Sequence, residues 1–245
     1  MPCLLVTNKR LVKTVRFKNP SYIGDPINAV KIYNDKEVDE LILLDINAAK
    51  VGSNIDFDLI TSFAEECFMP LTYGGGVKTL EDFKMLFRLG IEKVIVNSVL
   101  FDDGEVVSRA VQMFGSQSVV ASIDVVKNEH GDYSVYSHSN RRNDRSLLEY
   151  LEYVIGLGVG EIMLTAVDRE GTWSGYDVEL IHFINKNIDI PLIANGGCGK
   201  VEDLKELLFN EDIQAASIGS MAVYQKKGMG VLIRFPKRQQ VIDNE

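Results

Sequence analysis

The residues with the clearest chemistry are glycines. Gly74-Gly75-Gly76 follow the apolar run Leu71–Tyr73, and Gly196-Gly197 follow Leu192–Ala194. Lacking Cβ atoms, such loops let backbone N–H groups close on an anion such as phosphate. One apolar run later each loop has a serine partner, Asn97-Ser98 in the first case and Gly219-Ser220 in the second. A helix beginning there would add the positive end of its dipole. A lone Gly-Gly is most often a turn; here the arrangement occurs twice. Pro70-Leu71-Thr72-Tyr73-Gly74-Gly75-Gly76 is answered by Pro191-Leu192-Ile193-Ala194-Asn195-Gly196-Gly197, and Lys78-Thr79-Leu80-Glu81-Asp82-Phe83-Lys84 by Gly199-Lys200-Val201-Glu202-Asp203-Leu204-Lys205. The copies lie half a chain apart, which implies two similar halves with one anion site each. A ligand carrying a phosphate at each end would suit that pair.

Three aspartates end apolar runs: Asp45, Asp124 and Asp168. Most loop aspartates cap a helix or close a turn. Asp124, ending the run Val119–Ile123, is the best candidate for a partly desolvated general acid or base. The position matching it in the first half is Leu5. His130, His138 and His182 stand apart in sequence, so solvated or structural roles are expected for them. Cys3, Cys67 and Cys198 are too few for a disulfide framework and have no metal-ligand spacing. No metal or cofactor is expected.

Positioning these residues requires regular elements, and the chain alternates two kinds. Apolar runs rich in β-branched residues recur at Leu4–Thr7, Glu40–Leu44, Leu71–Tyr73, Lys93–Val96, Val119–Ile123, Glu161–Thr165, Leu192–Ala194 and Ala215–Ile218. Strands covered by helices on both faces show such continuous runs. Helical spacing appears between them at Asp58–Cys67, Leu80–Leu89 (after a capping-box Thr79-x-x-Asp82), Leu147–Leu157, Val178–Ile184 and Val201–Leu208. Eight strand–helix units in 245 residues predict a single (βα)8 TIM barrel with a twofold half-barrel repeat, rather than an open doubly wound sheet. The halves would span about 2–118 and 119–236, and the polar tail 237–245 is expected to fray. Active sites of such barrels lie at the C-terminal strand ends, where the polar residues above fall. The net charge of −9 argues against a nucleic-acid or anionic-membrane surface, so a phosphate must be held locally by backbone amides. No apolar stretch resembles a signal peptide or a membrane span, and a cytoplasmic location is expected.

In order along the chain, Gly24-Asp25-Pro26, Asp39–Asp45, Gly74–Gly76, Phe114-Gly115-Ser116-Gln117, Ser122-Ile123-Asp124, Leu164–Gly171 and Ser174-Gly175-Tyr176 resemble the signatures of the HisF family, the cyclase subunit of imidazole glycerol phosphate synthase. The resemblance covers about residues 2–224. It implies a (βα)8 barrel that binds a bis-phosphorylated aminoimidazole carboxamide ribonucleotide. A HisH-type glutaminase would dock on the N-terminal face as a heterodimer partner and send ammonia through the barrel to cleave and cyclise the substrate. The resemblance assigns Asp124 as a catalytic aspartate, Lys13 to the loop after strand one, and Asp168 as a supporting carboxylate. Gly75, Gly76, Asn97 and Ser98 would hold one phosphate, and Gly196, Gly197, Gly219 and Ser220 the other. Glu40, Lys93 and Glu161 match a charged ring at the ammonia entrance, whose arginine has no match here.

Three departures matter. Leu5 stands where the family's other catalytic aspartate belongs, and losing one member of an acid–base pair typically removes about 10²–10⁴-fold in rate. Asn8-Lys9-Arg10 replaces the family's Asp-Gly-Arg, and residues 223–236 lack its final helix. The chain therefore looks like a HisF paralogue of the branch associated with surface glycans. There it would work with a HisH-like glutaminase and a separate amidotransferase to make acetamidino sugars. Three alternatives stay open. One is an authentic cyclase in histidine biosynthesis, with Asp45 taking over. Another is a non-catalytic ammonia conduit. The last is the related sugar isomerase, disfavoured by Leu5 and by the charged ring.

Overall fold

The computed structural model describes residues 1–48, 54–137, 143–210 and 213–242. The strands are β1 (Cys3–Thr7), β2 (Arg10–Val15), β3 (Lys18–Gly24), β4 (Leu41–Asp45), β5 (Leu71–Gly74), β6 (Lys93–Val96), β7 (Val119–Lys127), β8 (Tyr133–Val135), β9 (Glu161–Ala166), β10 (Leu192–Asn195) and β11 (Ala215–Ala216). The helices are α1 (Pro26–Asp35), α2 (Phe57–Glu66), α3 (Leu80–Arg88), α4 (Ser98–Asp102), α5 (Gly104–Phe114), α6 (Leu147–Gly156), α7 (Val178–Asn185), α8 (Val201–Asn210), α9 (Ser220–Val223) and α10 (Arg238–Ile242).

β1, β4, β5, β6, β7, β9, β10 and β11 pair in parallel in that order. The circle closes where Pro2 bridges Ile218. There the Cys3 amide donates to the Ile218 carbonyl at 2.9 Å, and the Ile218 amide donates to the Met1 carbonyl at 2.9 Å. The fold is thus a closed eight-stranded α/β barrel, a TIM barrel. A closed sheet has no free edge, which removes the pairing liability of an open one.

Two apolar layers hold it. Leu4, Leu41, Leu43, Phe63, Phe83, Leu86, Leu164 and Ile184 belong to the layer between strands and helices. Cys3, Leu5, Val12, Ile42, Ile95, Val120, Met163 and Ile193 fill the inside of the barrel. Alternation along each strand explains the division, since Leu4 and Leu5 must face opposite ways.

The predicted strands all appear, with ends within a few residues. Three further strands were not predicted. β2 and β3 form an antiparallel hairpin on β1, with Leu5 opposite Val12, and β8 pairs with the extended end of β7. The last barrel unit has only the one-turn α9. Beyond it Tyr224 bridges Val231, and the Leu232 and Arg234 amides donate to the Val223 and Ala222 carbonyls at 2.9 Å each. In the tail, residues 238–242 form α10 against α8, where fraying was expected.

Candidate functional site

A deep pocket opens at the C-terminal ends of the barrel strands, lined by both glycine loops, Lys13, Asp45, Asn97, Ser98, Asp124, Glu170, Gly219 and Ser220. Its walls carry the repeat into three dimensions. A Cβ on Gly75 would stand 2.4 Å from the Asp45 carbonyl oxygen at the end of β4. A Cβ on Gly196 would stand 2.9 Å from the carbonyl oxygen of Ala166, at the end of β9. Gly75 and Gly196 have φ of +129° and +97°, in the region that glycine alone enters cheaply. Behind each loop an aspartate repeats the same turn. Asp82 accepts from the Lys78 and Thr79 amides at 2.9 and 2.8 Å, and Asp203 accepts from the Gly199 and Lys200 amides at 2.8 and 3.1 Å.

Ser98 and Ser220 each open a helix, as expected, but α4 and α9 have only five and four residues. So short a helix sums few peptide dipoles, and the glycine-loop amides must supply most of any anion field. Neither α4 nor α9 has a side-chain N-cap, whereas α1, α2, α3, α6 and α7 do. Asn97 occupies the cap position of α4 but turns away from it. Its carboxamide donates to the Ser122 carbonyl and to Asp124 Oδ2, both at 3.0 Å.

The pocket floor divides by half-barrel. The first half contributes Leu5, Leu44, Gly74 and Ile95. The second contributes Ser122, Asp124, Thr165, Asn195 and Ser217. Asn195 donates to Thr165 Oγ1 at 3.0 Å and accepts from Ser217 Oγ at 2.6 Å, fixing its amide orientation. β1 and β7 lie four strands apart either way around, so Leu5 and Asp124 face each other across the barrel. Asp124 is buried on β7, and the Asn97 carboxamide holds its Oδ2 in place.

Lys13 lies on β2 rather than on an irregular loop. Only 4% of it is exposed, and its ammonium donates to the Cys3 carbonyl at 2.5 Å. Burial holds its pKa below the usual lysine value, opposed by the Cys3 thiol and the Glu170 carboxylate.

Asp168, expected as the supporting carboxylate, is exposed and outside the pocket wall. Its Oδ2 accepts the Lys127 amide at 2.7 Å, which ties β7 to the β9–α7 loop. Glu170, two residues on, is the carboxylate of this loop that lines the pocket, and the sequence did not single it out. It accepts from Thr14 Oγ1 and the Phe17 amide at 2.9 Å each, latching the β2–β3 hairpin over the mouth. The only sequence signal was two acids in one loop, Asp168-Arg169-Glu170-Gly171, with nothing to choose between them. Asp45 lines the pocket, yet its Oδ1 accepts the Asn47 and Ala48 amides at 2.9 and 3.2 Å, the turn-closing role common to loop aspartates. His130 and His182 are exposed and remote from the pocket wall; His138 lies outside the described residues.

On the opposite face Glu40, Lys93 and Glu161 come together at the N-terminal strand ends. Lys93 Nζ lies 3.1 Å from Glu40 and 2.9 Å from Glu161, and Thr72 donates to Glu40 at 2.5 Å. Partial burial pulls the Lys93 pKa down, but the Glu161 hydrogen bond and both carboxylates outweigh it and hold the pKa above its usual value. Among the described residues no cluster of three His, Cys, Asp or Glu side chains could hold a metal ion. No helix among them is long and apolar enough to cross a membrane.

Comparison with known proteins agrees with this geometry. Residues 1–228 match the family model described as "Histidine biosynthesis protein". A Pseudomonas aeruginosa protein, provisionally named imidazole glycerol phosphate synthase subunit hisF2, is 46% identical over 237 residues, covering 96% of this chain and 94% of its own length. A Leptospira interrogans protein with the provisional name of subunit HisF is 42% identical over 241 residues, covering 98% and 95%. The imidazole glycerol phosphate synthase subunit HisF of Alkaliphilus metalliredigens is 37% identical over 227 residues, covering 92% and 90%.

Proposed function

This chain belongs to the histidine biosynthesis family, among its HisF members, and from that premise we propose that it is an ammonia-using barrel subunit in which cyclase chemistry has been given up. In this reading a HisH-type glutaminase docks on the face carrying Glu40, Lys93 and Glu161 and releases ammonia into the barrel. The interior ring of Cys3, Leu5, Val12, Ile42, Ile95, Val120, Met163 and Ile193 offers no carboxylate to hold an ammonium ion. Neutral ammonia is the form that such an apolar wall admits.

At the mouth, a phosphorylated substrate spans the two glycine cradles and presents its reacting centre to the second half-barrel. On that side the floor presents Ser122, Asp124, Thr165, Asn195 and Ser217, whereas Leu5, Leu44 and Ile95 face them from the first half. The observation that carries the reading is Leu5 opposite Asp124. Proton transfer at two ends of a substrate needs two ionisable groups, and a leucine supplies none. Asp124, aligned by Asn97, is left without a carboxylate opposite it on β1, and Lys13 is the ionisable side chain that reaches in from the first half. The product pathway is assigned to amidino-sugar synthesis, with a separate amidotransferase as the third component. The provisional hisF2 name of the Pseudomonas relative supports a second, paralogous branch.

The test pairs the purified protein with a histidine-pathway glutaminase, or supplies ammonium salt directly, and measures imidazole glycerol phosphate. Turnover about 10²–10⁴-fold below an ordinary cyclase is expected in both arms. Ordinary turnover with ammonium salt would overturn the paralogue reading. An authentic cyclase based on Asp45 is disfavoured because that carboxylate is already engaged with the Asn47 and Ala48 amides. Rescue of a cyclase-deficient histidine auxotroph would reinstate it.

A further inference from the structure

The two cradles match in backbone but not in charge. Beside Gly75 and Gly76 the pocket's lysine is Lys78, which is exposed. Beside Gly219 it is Lys13, which is buried. A Cβ built on Gly219 would lie 2.9 Å from Lys13 Nζ, so the ammonium rests against the second cradle itself. Among the described residues Lys13 forms no salt bridge, and its ammonium donates to the neutral carbonyl of Cys3. Glu170 acts on Lys13 through its charge, but its oxygens are hydrogen-bonded to Thr14 and the Phe17 amide.

An ammonium has three donors, and one bond to Cys3 leaves two to be satisfied within the pocket. A buried ammonium hydrogen-bonded to a neutral carbonyl, with a carboxylate nearby that forms no ion pair with it, is under-compensated, and an anion in the second cradle would complete it. The hairpin explains how the lysine is held. Pairing of Leu5 with Val12 fixes β2 on β1, and the Glu170 latch on Thr14 and Phe17 fixes the segment just after Lys13. The ammonium is thereby delivered by strand geometry rather than by a swinging loop.

We propose that Lys13 is the charge partner of the phosphate in the second cradle, making that cradle the tight end of the site and leaving the first to bind through backbone amides and an exposed lysine. The proposal rests on the two-phosphate reading above and adds an order of occupancy. The anion enters the second cradle first and places the ligand's reacting portion beside Asp124, Thr165 and Asn195. The other phosphate then closes the weaker grip.

Glycine-selective ¹⁵N labelling lets the amides of Gly75 and Gly76 report one cradle, and those of Gly196, Gly197 and Gly219 the other, during titration with inorganic phosphate. In the wild-type protein the second set should saturate at lower phosphate than the first. Lys13→Met should weaken the second set by about 10- to 100-fold, the worth of a charge-assisted hydrogen bond, and leave the first set unmoved. Lys13→Arg should restore part of the loss. Equal saturation of both sets in the wild type, or an unaltered second set in Lys13→Met, overturns the role of Lys13 while leaving the two cradles standing. No response of either set at millimolar phosphate overturns the two-phosphate reading itself. The wild-type comparison needs no variant to fold.

Discussion

Replacing Gly75 with alanine separates two reasons for a glycine, because the barrel supplies a control. Gly90, after α3, has φ of +92° and nothing within 4 Å of a built Cβ. Gly90→Ala should therefore cost backbone strain alone, about 1–2 kcal/mol. Gly75 has φ of +129°, and its Cβ would meet the Asp45 carbonyl oxygen at 2.4 Å and Asp45 Cβ at 2.9 Å. Asp45 ends β4 and cannot retreat without disturbing the sheet, so the loop itself must lift. Clash added to strain raises the cost to about 3–4 kcal/mol. In a chain of this size about 1 kcal/mol shifts Tm by about 2–4 °C. Gly90→Ala should thus fall by about 2–8 °C and Gly75→Ala by about 6–16 °C. Calorimetric scans with and without inorganic phosphate add the functional arm. An occupied site stabilises by about 2.7 kcal/mol at a hundredfold excess over Kd. Gly90→Ala should keep the whole phosphate-induced rise, and Gly75→Ala should lose the first cradle's share. Equal losses of stability in the two variants, with the phosphate effect intact in both, would refute the close-approach argument.

Three further outcomes follow from buried polar groups. The unfolded chain keeps the Lys13 proton to about pH 10.4, whereas burial makes the folded chain release it earlier. The unfolded state then binds more protons in that window, so wild-type stability should rise with pH through it. Lys13→Met should be the more stable protein at pH 7, with its lead shrinking by pH 10 in urea titrations; a constant gap would contradict the burial effect. Lys93→Met leaves Glu40 and Glu161 without their shared cation in a half-buried ring, and should lower stability by about 1–3 kcal/mol after allowance for solvent screening. A denaturant midpoint unchanged from wild type would show the ring to be electrostatically idle. The Tyr150 hydroxyl is buried with no hydrogen-bond partner among the described residues. Tyr150→Phe should be neutral or stabilising by up to about 1 kcal/mol, and a clear loss of Tm would reveal a partner for the hydroxyl.

The barrel strands were legible because burial on both faces leaves a continuous apolar word in the sequence, as at Leu41–Leu44 and Val119–Ile123. β2 and β3 were not, since their order comes from pairing on β1, and Pro20 and two register shifts spoil any period. α1 carried a start signal, Asp25 before Pro26, with the Asp25 side chain capping the Asn28 amide, but it was read only as part of a family motif. In the site, Gly75, Gly196 and Asp124 could be read because each ends a strand whose direction fixes where the next residue goes. Lys13 could be read as present but not as buried, because its burial depends on the hairpin latch. Glu170 and Asp168 carry the same charge in one loop, and only the fold of that loop decides which enters the pocket. The expected help from helix dipoles failed on length, since nothing in Ser98 or Ser220 announces that α4 and α9 stop after one turn.

The claim on which the rest depends is that two glycine-lined loops, facing each other across one closed barrel, each take an anion. A crystal soaked in inorganic phosphate tests it directly. Density for two phosphates is expected, one against Gly75, Gly76 and Ser98 and one against Gly196, Gly197 and Ser220 with Lys13 beside it. Clear density for the pocket with neither cradle occupied would contradict the account.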